Sequence, residues 1–204
     1  ALRIADRAGA PGTTQTGLSY PETRTYEEDH YAPVGALIDA SEDFWFWDFI
    51  QAGNATTGKK SFGFTVDALA STSAQATLTV RVAGATRTAA NPDHHAILKV
   101  NGQKVGEDSW NGIGAYTISA TFSQSLLHEG TNTLEITGIL DPGRPFSVFY
   151  LNNFDVTYSR RYVATGGALT CARGGNAEIT VEGFAGSDIL VYEVSNWDRP
   201  VHIL

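Results

Sequence analysis

Polar and apolar residues alternate through the central part of the chain. In residues 95–100 one alternating set of positions is wholly apolar and the other is mixed, the period-two pattern of a strand with two unlike faces. Asn101 and Gly102 follow, and both residue types tolerate the positive φ that a tight type I′ hairpin turn requires. The chain then returns through residues 103–105, so the pattern predicts a β-hairpin.

Similar alternating runs lie on both sides of this hairpin. They occupy residues 62–66, 76–82 and 116–122, and a longer apolar run at residues 146–158 predicts one long strand. A pair of asparagines at residues 152–153 interrupts this last run and indicates a β-bulge. Short strands separated by glycine- and asparagine-rich turns predict an all-β fold.

The order of signals after the hairpin resembles a known architecture. A turn at residues 110–112 is followed by a Leu-Leu pair at 126–127, Glu-Gly at 129–130 and a new strand from Asn132. This order is similar to that of galactose-binding-like jelly-roll sandwiches, which stand beside many secreted hydrolases. The resemblance implies that residues 23–160 form a jelly-roll β-sandwich that acts as a scaffold.

The two ends of the chain have a different character. Residues 1–22 are rich in glycine, proline and threonine, which predicts a linker or an edge strand. We expect residues 161–204 to form a small β-strand subdomain, a C-terminal appendage that leads to a downstream domain missing from this sequence. The expected strands of this appendage lie at residues 169–172, 178–181 and 189–194. The chain begins without a methionine or a signal peptide, so we expect a fragment or a processed chain.

Composition and charge narrow the possible partners. The chain has 204 residues, of which 42% are hydrophobic and 18% charged, which is enough to bury a core. Its net charge of −8 repels phosphate backbones and argues against nucleic acid. No apolar run approaches the roughly 20 residues that span a bilayer, so we expect no membrane insertion.

The chain has a single cysteine, Cys171, and therefore no internal disulfide. Its apolar neighbours predict a small buried side chain in a strand. A sequence poor in cysteine and lysine is compatible with a bacterial protein that is secreted or held at the cell surface.

The strongest candidate for a bound cofactor is a structural calcium ion. Jelly-roll carbohydrate-binding modules often hold calcium through acidic residues of the first strand and an aspartate of the last strand. By this resemblance Glu27, Asp29 and Asp155 are the expected ligands, because calcium takes about six to eight oxygen ligands. The alternative is a solvated acidic edge that discourages pairing with other strands.

Three tryptophans are candidate ligand-binding residues. Trp45 and Trp47 lie in a block of aromatic residues, which favours burial in the core but also suits a stacking platform for a sugar ring. Trp110 stands beside a turn, so its ring is the better candidate for an open face, although it equally suits the end of a core.

No catalytic constellation is evident. His94 and His95 are adjacent and point to opposite faces of a strand, so a hydrogen-bonded structural role is favoured over a zinc site. Glu107 and Asp108 are adjacent loop residues and do not supply two carboxyl groups across a cleft, as glycoside hydrolysis requires. We therefore expect a chain that is not an enzyme.

Five motifs, taken in order, resemble one protein family. They are T-Y-E-E-D-H-Y from Thr25, D-F-W-F-W from Asp43, D-H-H from Asp93, L-L-H-E-G-T-N-T-L-E-I from Leu126 and F-D-V-T-Y-S-R-R-Y from Phe154. Their order is similar to the β-rich region just upstream of the catalytic domain in gingipain-like cysteine peptidases of secreted bacterial proteins. The tail, with G-G-A-L-T-C-A-R from Gly166 and I-L-V-Y-E-V-S-N-W-D-R-P-V from Ile189, is similar to the β-rich lead-in to that peptidase domain, so the resemblance covers residues 23–204.

This resemblance implies a module without catalytic residues. In that family the catalytic histidine and cysteine lie in a caspase-like α/β domain, and no such sequence is present in this chain. We therefore expect a binding or interaction module whose partner is a downstream peptidase domain of the same protein. Two alternatives stay open, namely a carbohydrate-binding module with a glycan partner and a pro-segment that masks a peptidase.

Overall fold

A computed structural model describes residues 4–9, 18–32, 45–176 and 178–204. Within these residues the secondary structure is almost entirely β, with one 3-10 turn at Gln124–Leu126. The strands are β1 (Ala5–Arg7), β2 (Ser19–Glu27), β3 (Asp48–Gln51), β4 (Lys59–Val66), β5 (Gln75–Gly84), β6 (His94–Val100), β7 (Gln103–Trp110), β8 (Gly114–Ser123), β9 (Gly130–Gly138), β10 (Val148–Arg161), β11 (Val191–Glu193) and β12 (Val201–Ile203). No helix of the described residues is long and apolar enough to cross a lipid bilayer.

Two sheets form the body of residues 21–160, which is one of two compact units of the chain. One sheet has the strand order β2-β10-β5-β8, with β3 also paired to β10. The other has the order β4-β9-β6-β7. This arrangement confirms the all-β, jelly-roll β-sandwich fold that the sequence predicts.

The apolar core between the two sheets follows the alternating pattern of the sequence. Inward residues of β4, β5, β6, β8, β9 and β10 belong to a single hydrophobic cluster. Each large apolar side chain that is fully buried contributes about 1.5–3 kcal/mol. The completely buried members include Leu78, Val80, Leu98, Val100, Leu134, Ile136, Phe149, Leu151, Phe154 and Val156.

Two local features of the sandwich confirm the sequence analysis. Asn101 and Gly102 have φ angles of 48° and 83°, which both lie in the left-handed region that a type I′ turn requires. The register of β10 against β5 shifts between Leu151 and Asn153, which places the predicted bulge at Asn152. These features set the register of the strands around the core.

The second compact unit comprises Ala1–Tyr20 and Arg161–Leu204. In its sheet, of order β1-β12-β11, the strands β1 and β12 are parallel. Tyr20 and Tyr162 are buried and stack with ring centroids 4.8 Å apart. The Asn176 side-chain amide donates to the Tyr162 hydroxyl at 2.7 Å and to the Ser19 carbonyl at 3.1 Å.

The strands of this unit differ from the prediction. Residues 169–172 and 178–181 form no strand, and of residues 189–194 only β11 does. The strand β12 was not predicted. Strands of three residues are too short to show the alternation on which the prediction depends.

Candidate ligand-binding site

Trp110 lies in the core and not on the surface. It is only 4% exposed, and its ring stacks on Tyr116 with a centroid distance of 5.1 Å and an interplanar angle of 5°. Its other neighbours are the His94 ring at 5.0 Å and the Phe149 ring, edge-on, at 5.1 Å. The expectation of an open ring face is therefore wrong, because Trp110 pairs with His94 across β6 and β7 and shares its inward side.

A buried hydrogen-bond network fixes the loops beside Trp110. The Asp93 carboxylate accepts from the Thr88 backbone N–H at 2.8 Å, the Thr88 hydroxyl at 2.7 Å and the Gly112 N–H at 2.9 Å. Although burial acts to raise the pKa of Asp93, these hydrogen bonds outweigh it and hold that pKa below its ordinary value. The carboxylate is therefore ionised and structural.

His94 completes this network as a neutral imidazole. Its Nε2 donates to the carbonyls of Thr86 and Gly112, both at 3.1 Å, and its Nδ1 accepts from the Ser147 hydroxyl at 2.9 Å. Burial lowers the pKa of His94. The side chain thus has the structural, hydrogen-bonded role that the sequence favours over a zinc site.

The two tryptophans of the aromatic block take different positions. Trp47 is buried and lies parallel to Phe154 with a centroid distance of 5.6 Å. Trp45 is 42% exposed. Of the three candidate platforms, only Trp45 therefore presents substantial surface to solvent.

One of the predicted calcium ligands, Asp155, forms an ion pair with Arg81. The Arg81 guanidinium donates to Asp155 at 2.7 Å and to Asn153 at 2.8 Å, and the Thr25 hydroxyl donates to Asp155 at 2.7 Å. The hydrogen bond to Asp155 is the main reason why the pKa of Arg81 is raised, and Glu27 adds to it. The positive charge of Arg81 thus offsets the negative charge of Asp155.

The structure places the predicted calcium ligands in different surroundings. Asp29 is exposed beyond the end of β2, and Asp155 is engaged by Arg81. In the described part of the chain no three His, Cys, Asp or Glu side chains are grouped so as to hold a metal ion. Glu27, Asp29 and Asp155 as ligands of a structural calcium ion therefore stay a prediction.

A shallow aromatic groove on the sandwich is the best candidate for ligand binding. Tyr31, Ala32, Phe49, Val148 and Tyr150 line this depression, whose volume is about 310 Å³. The Tyr31 ring meets Phe49 edge-on, with centroids 5.7 Å apart and planes at 88°. We call this site the Tyr31 groove.

Backbone pairing fixes the residues of the Tyr31 groove. Phe49 and Tyr150 are opposite each other in the ladder of β3 and β10, so their side chains share one face of the sheet. Tyr31 exchanges two backbone hydrogen bonds with Phe46, at 2.9 and 2.8 Å. The Phe46 ring supports the Tyr150 ring, with centroids 5.0 Å apart.

The Tyr31 groove is not among the sites predicted from the sequence. A usable signal was nevertheless present in β10, where Val148 and Tyr150 alternate with the buried Phe149 and Leu151. Apolar residues at the outward positions of a strand indicate a surface that something else covers or contacts. Their proximity to Tyr31 depends on a long-range pairing that no local pattern shows.

The second compact unit carries a larger apolar groove, of about 430 Å³. Trp197, Leu190 and Tyr192 are among its lining residues and are 73%, 68% and 42% exposed. Cys171 also lines it and is exposed, so the expectation of a buried cysteine in a strand is wrong. We call this site the Trp197 groove.

A solved structure of another protein contains a region with the same fold as this chain. No family model and no curated protein matches the chain. The whole chain superposes on part of the crystal structure of dimeric latent PorU from Porphyromonas gingivalis, with a TM-score of 0.63 and 11% identity. It spans only 19% of that gingipain-like peptidase. The predicted resemblance to a β-sandwich region of such proteins is thus confirmed at the level of the fold.

Two carbohydrate-binding modules of type CBM36 show weaker similarity. One, in complex with calcium and xylotriose, has a TM-score of 0.40 and 15% identity over 66% of this chain and 98% of its own. The other belongs to a multidomain xylanase from the hindgut metagenome of Trinervitermes trinervoides, with a TM-score of 0.37 and 14% identity over 70% of this chain and 92% of its own.

Proposed function

We propose that this chain is a non-catalytic β-sandwich interaction module of a secreted or cell-surface bacterial protein, and that it contacts a peptidase domain of the same polypeptide. The observation that carries the proposal is the fold match over the whole chain to one fifth of a much longer peptidase. A module of this size within a longer polypeptide moves independently of the other domains unless it packs against one of them.

The Trp197 groove supplies a surface for such a contact. Exposed large apolar residues cluster there, and patches of this kind on folded proteins commonly mark interaction sites. Trp197 has the properties of an anchor residue, because tryptophan is enriched among the side chains that dominate the binding energy of interfaces.

A binding experiment tests this proposal. The chain and the peptidase domain of its full-length protein are produced separately, and their association is measured by isothermal titration calorimetry. We expect Trp197→Ala to weaken the association at least tenfold, since anchor residues contribute about 2 kcal/mol or more. Phe146→Ala, which removes an exposed aromatic from residues 21–160, is the matched control.

The same experiment separates the alternatives. No association between the wild-type chain and the peptidase domain would contradict the proposal. If the added chain also blocks peptide hydrolysis by the peptidase domain, the pro-segment alternative is favoured over a simple contact. Hydrolysis of peptides or polysaccharides by this chain alone would contradict its assignment as non-catalytic.

A further inference from the structure

We propose that the Tyr31 groove binds a neutral pyranose ring of a glycan. This function is separate from the contact proposed for the Trp197 groove, because it uses residues of the sandwich unit alone. The three tryptophans singled out in the sequence are not among the groove residues. The groove residues are Tyr31, Ala32, Phe49, Val148 and Tyr150.

The aromatic rings supply the stacking surface that a sugar requires. The C–H face of a pyranose packs on an aromatic ring that is accessible and rigid. Tyr31 is 41% exposed, and its backbone is tied to Phe46. Phe49 and Tyr150 are half-buried and form the floor of the groove.

Polar groups beside the rings match the hydroxyl groups of a sugar. Within the described residues, the Tyr31 and Tyr150 hydroxyls form no hydrogen bond to the protein and are available to a ligand. Next to the floor, Lys60 forms an ion pair with Asp48 at 2.9 Å, and its Nζ lies 5.4 Å from the centre of the Phe49 ring. This pair has both donors and acceptors and carries no net charge.

These features favour a neutral sugar over other occupants. A wholly apolar peptide would cover the two phenol hydroxyls and leave them without partners, which costs about 1–3 kcal/mol for each buried group. An anionic ligand would meet a chain with a net charge of −8. The volume of about 310 Å³ is at the lower end for ligand sites, so the groove suits one or two sugar rings.

The test is a titration of the wild-type chain with xylohexaose, cellohexaose and mannohexaose, followed by NMR and calorimetry. We expect saturable binding of at least one of them, with changes in the ring signals of Tyr31 and Tyr150. Tyr31→Ala should weaken that binding roughly 3- to 10-fold, as the loss of one aromatic stacking contact implies. Tyr192→Ala, which removes an equally exposed tyrosine from the other unit, should leave the affinity unchanged.

Two further variants keep the test informative if Tyr31→Ala fails to fold. Tyr31→Phe and Tyr150→Phe keep the rings and remove one hydroxyl each, so both should fold and bind more weakly than the wild type. Absence of saturable binding to all three hexasaccharides would overturn the proposal, as would unchanged affinity in all groove variants. Neither result would affect the peptidase-binding experiment, which depends on Trp197.

Discussion

At the scale of single residues, Trp110 shows how a turn signal is misread. The Asn-Gly pair at residues 111–112 correctly indicates where the chain reverses. It does not indicate toward which side of the sheet the preceding ring points. That side is set by the pairing of Trp110 with His94, so a residue at the edge of a turn belongs to the core.

Trp110→Ala should therefore destabilise the fold strongly. The substitution removes a buried ring that contacts His94, Tyr116 and Phe149, and such large-to-small changes cost about 3–5 kcal/mol. Urea denaturation followed by circular dichroism measures the loss. Trp197→Ala, at a 73% exposed site, is the control and should change the free energy of unfolding by less than about 0.5 kcal/mol. An unchanged midpoint for Trp110→Ala would show that this ring is not a core residue.

At the scale of elements, the predictable part of the fold is the part with long alternating runs. The strands β4, β5, β6 and β8 were all evident from period-two patterns, and the bulge of β10 from its asparagines. The Tyr31 groove was not predictable, because it depends on the pairing of β3 with β10, about a hundred residues apart in the chain. The short strands of the second unit have no pattern that distinguishes them from loops.

Asn101 is the residue on which the hairpin of β6 and β7 depends. Its side chain accepts from the Thr133 N–H at 2.9 Å and donates to the Leu126 carbonyl at 2.7 Å, so it joins the hairpin turn to β9 and to the 3-10 turn at Gln124–Leu126. Its φ of 48° is also a conformation that alanine adopts at a cost of about 1–2 kcal/mol.

We expect Asn101→Ala to lower the free energy of unfolding by about 2–4 kcal/mol, from the backbone cost and the loss of two or three hydrogen bonds. Asn101→Gly, which keeps the backbone freedom and loses only the side chain, should cost less. Equilibrium unfolding of both variants in urea measures the difference. If both variants lost the same free energy of unfolding, the left-handed conformation of residue 101 would contribute nothing to the cost of Asn101→Ala.

At the scale of the whole molecule, buried titratable groups make stability depend on pH. Burial holds the pKa of His94 below the 6.5 of an exposed histidine, so the folded protein keeps this ring neutral. Below pH 6.5 His94 binds a proton in the unfolded chain but not in the folded one. The free energy of unfolding therefore falls as the pH falls. The pKa values of Asp93 and Asp155 lie below the ordinary 3.8, so their contribution is lost only under more acidic conditions.

We therefore expect the free energy of unfolding to decrease between pH 7 and pH 5, by at most about 1.4 kcal/mol per pH unit from His94. A second, steeper decrease should begin below about pH 4, as the carboxylates are protonated. Urea denaturation at a series of pH values measures both phases. The first decrease should be absent in His94→Asn, and a flat profile of the wild type between pH 7 and pH 5 would contradict a buried neutral histidine.

The position of the only cysteine has a practical consequence. Cys171 is exposed and lines the Trp197 groove, so a thiol-reactive fluorophore would attach at one defined point without any prior mutagenesis. The indole of Trp197 lines the same groove and can act as a donor or quencher for such a dye. The unmodified sequence is thus suited to become a fluorescent reporter that registers when a partner occupies the groove.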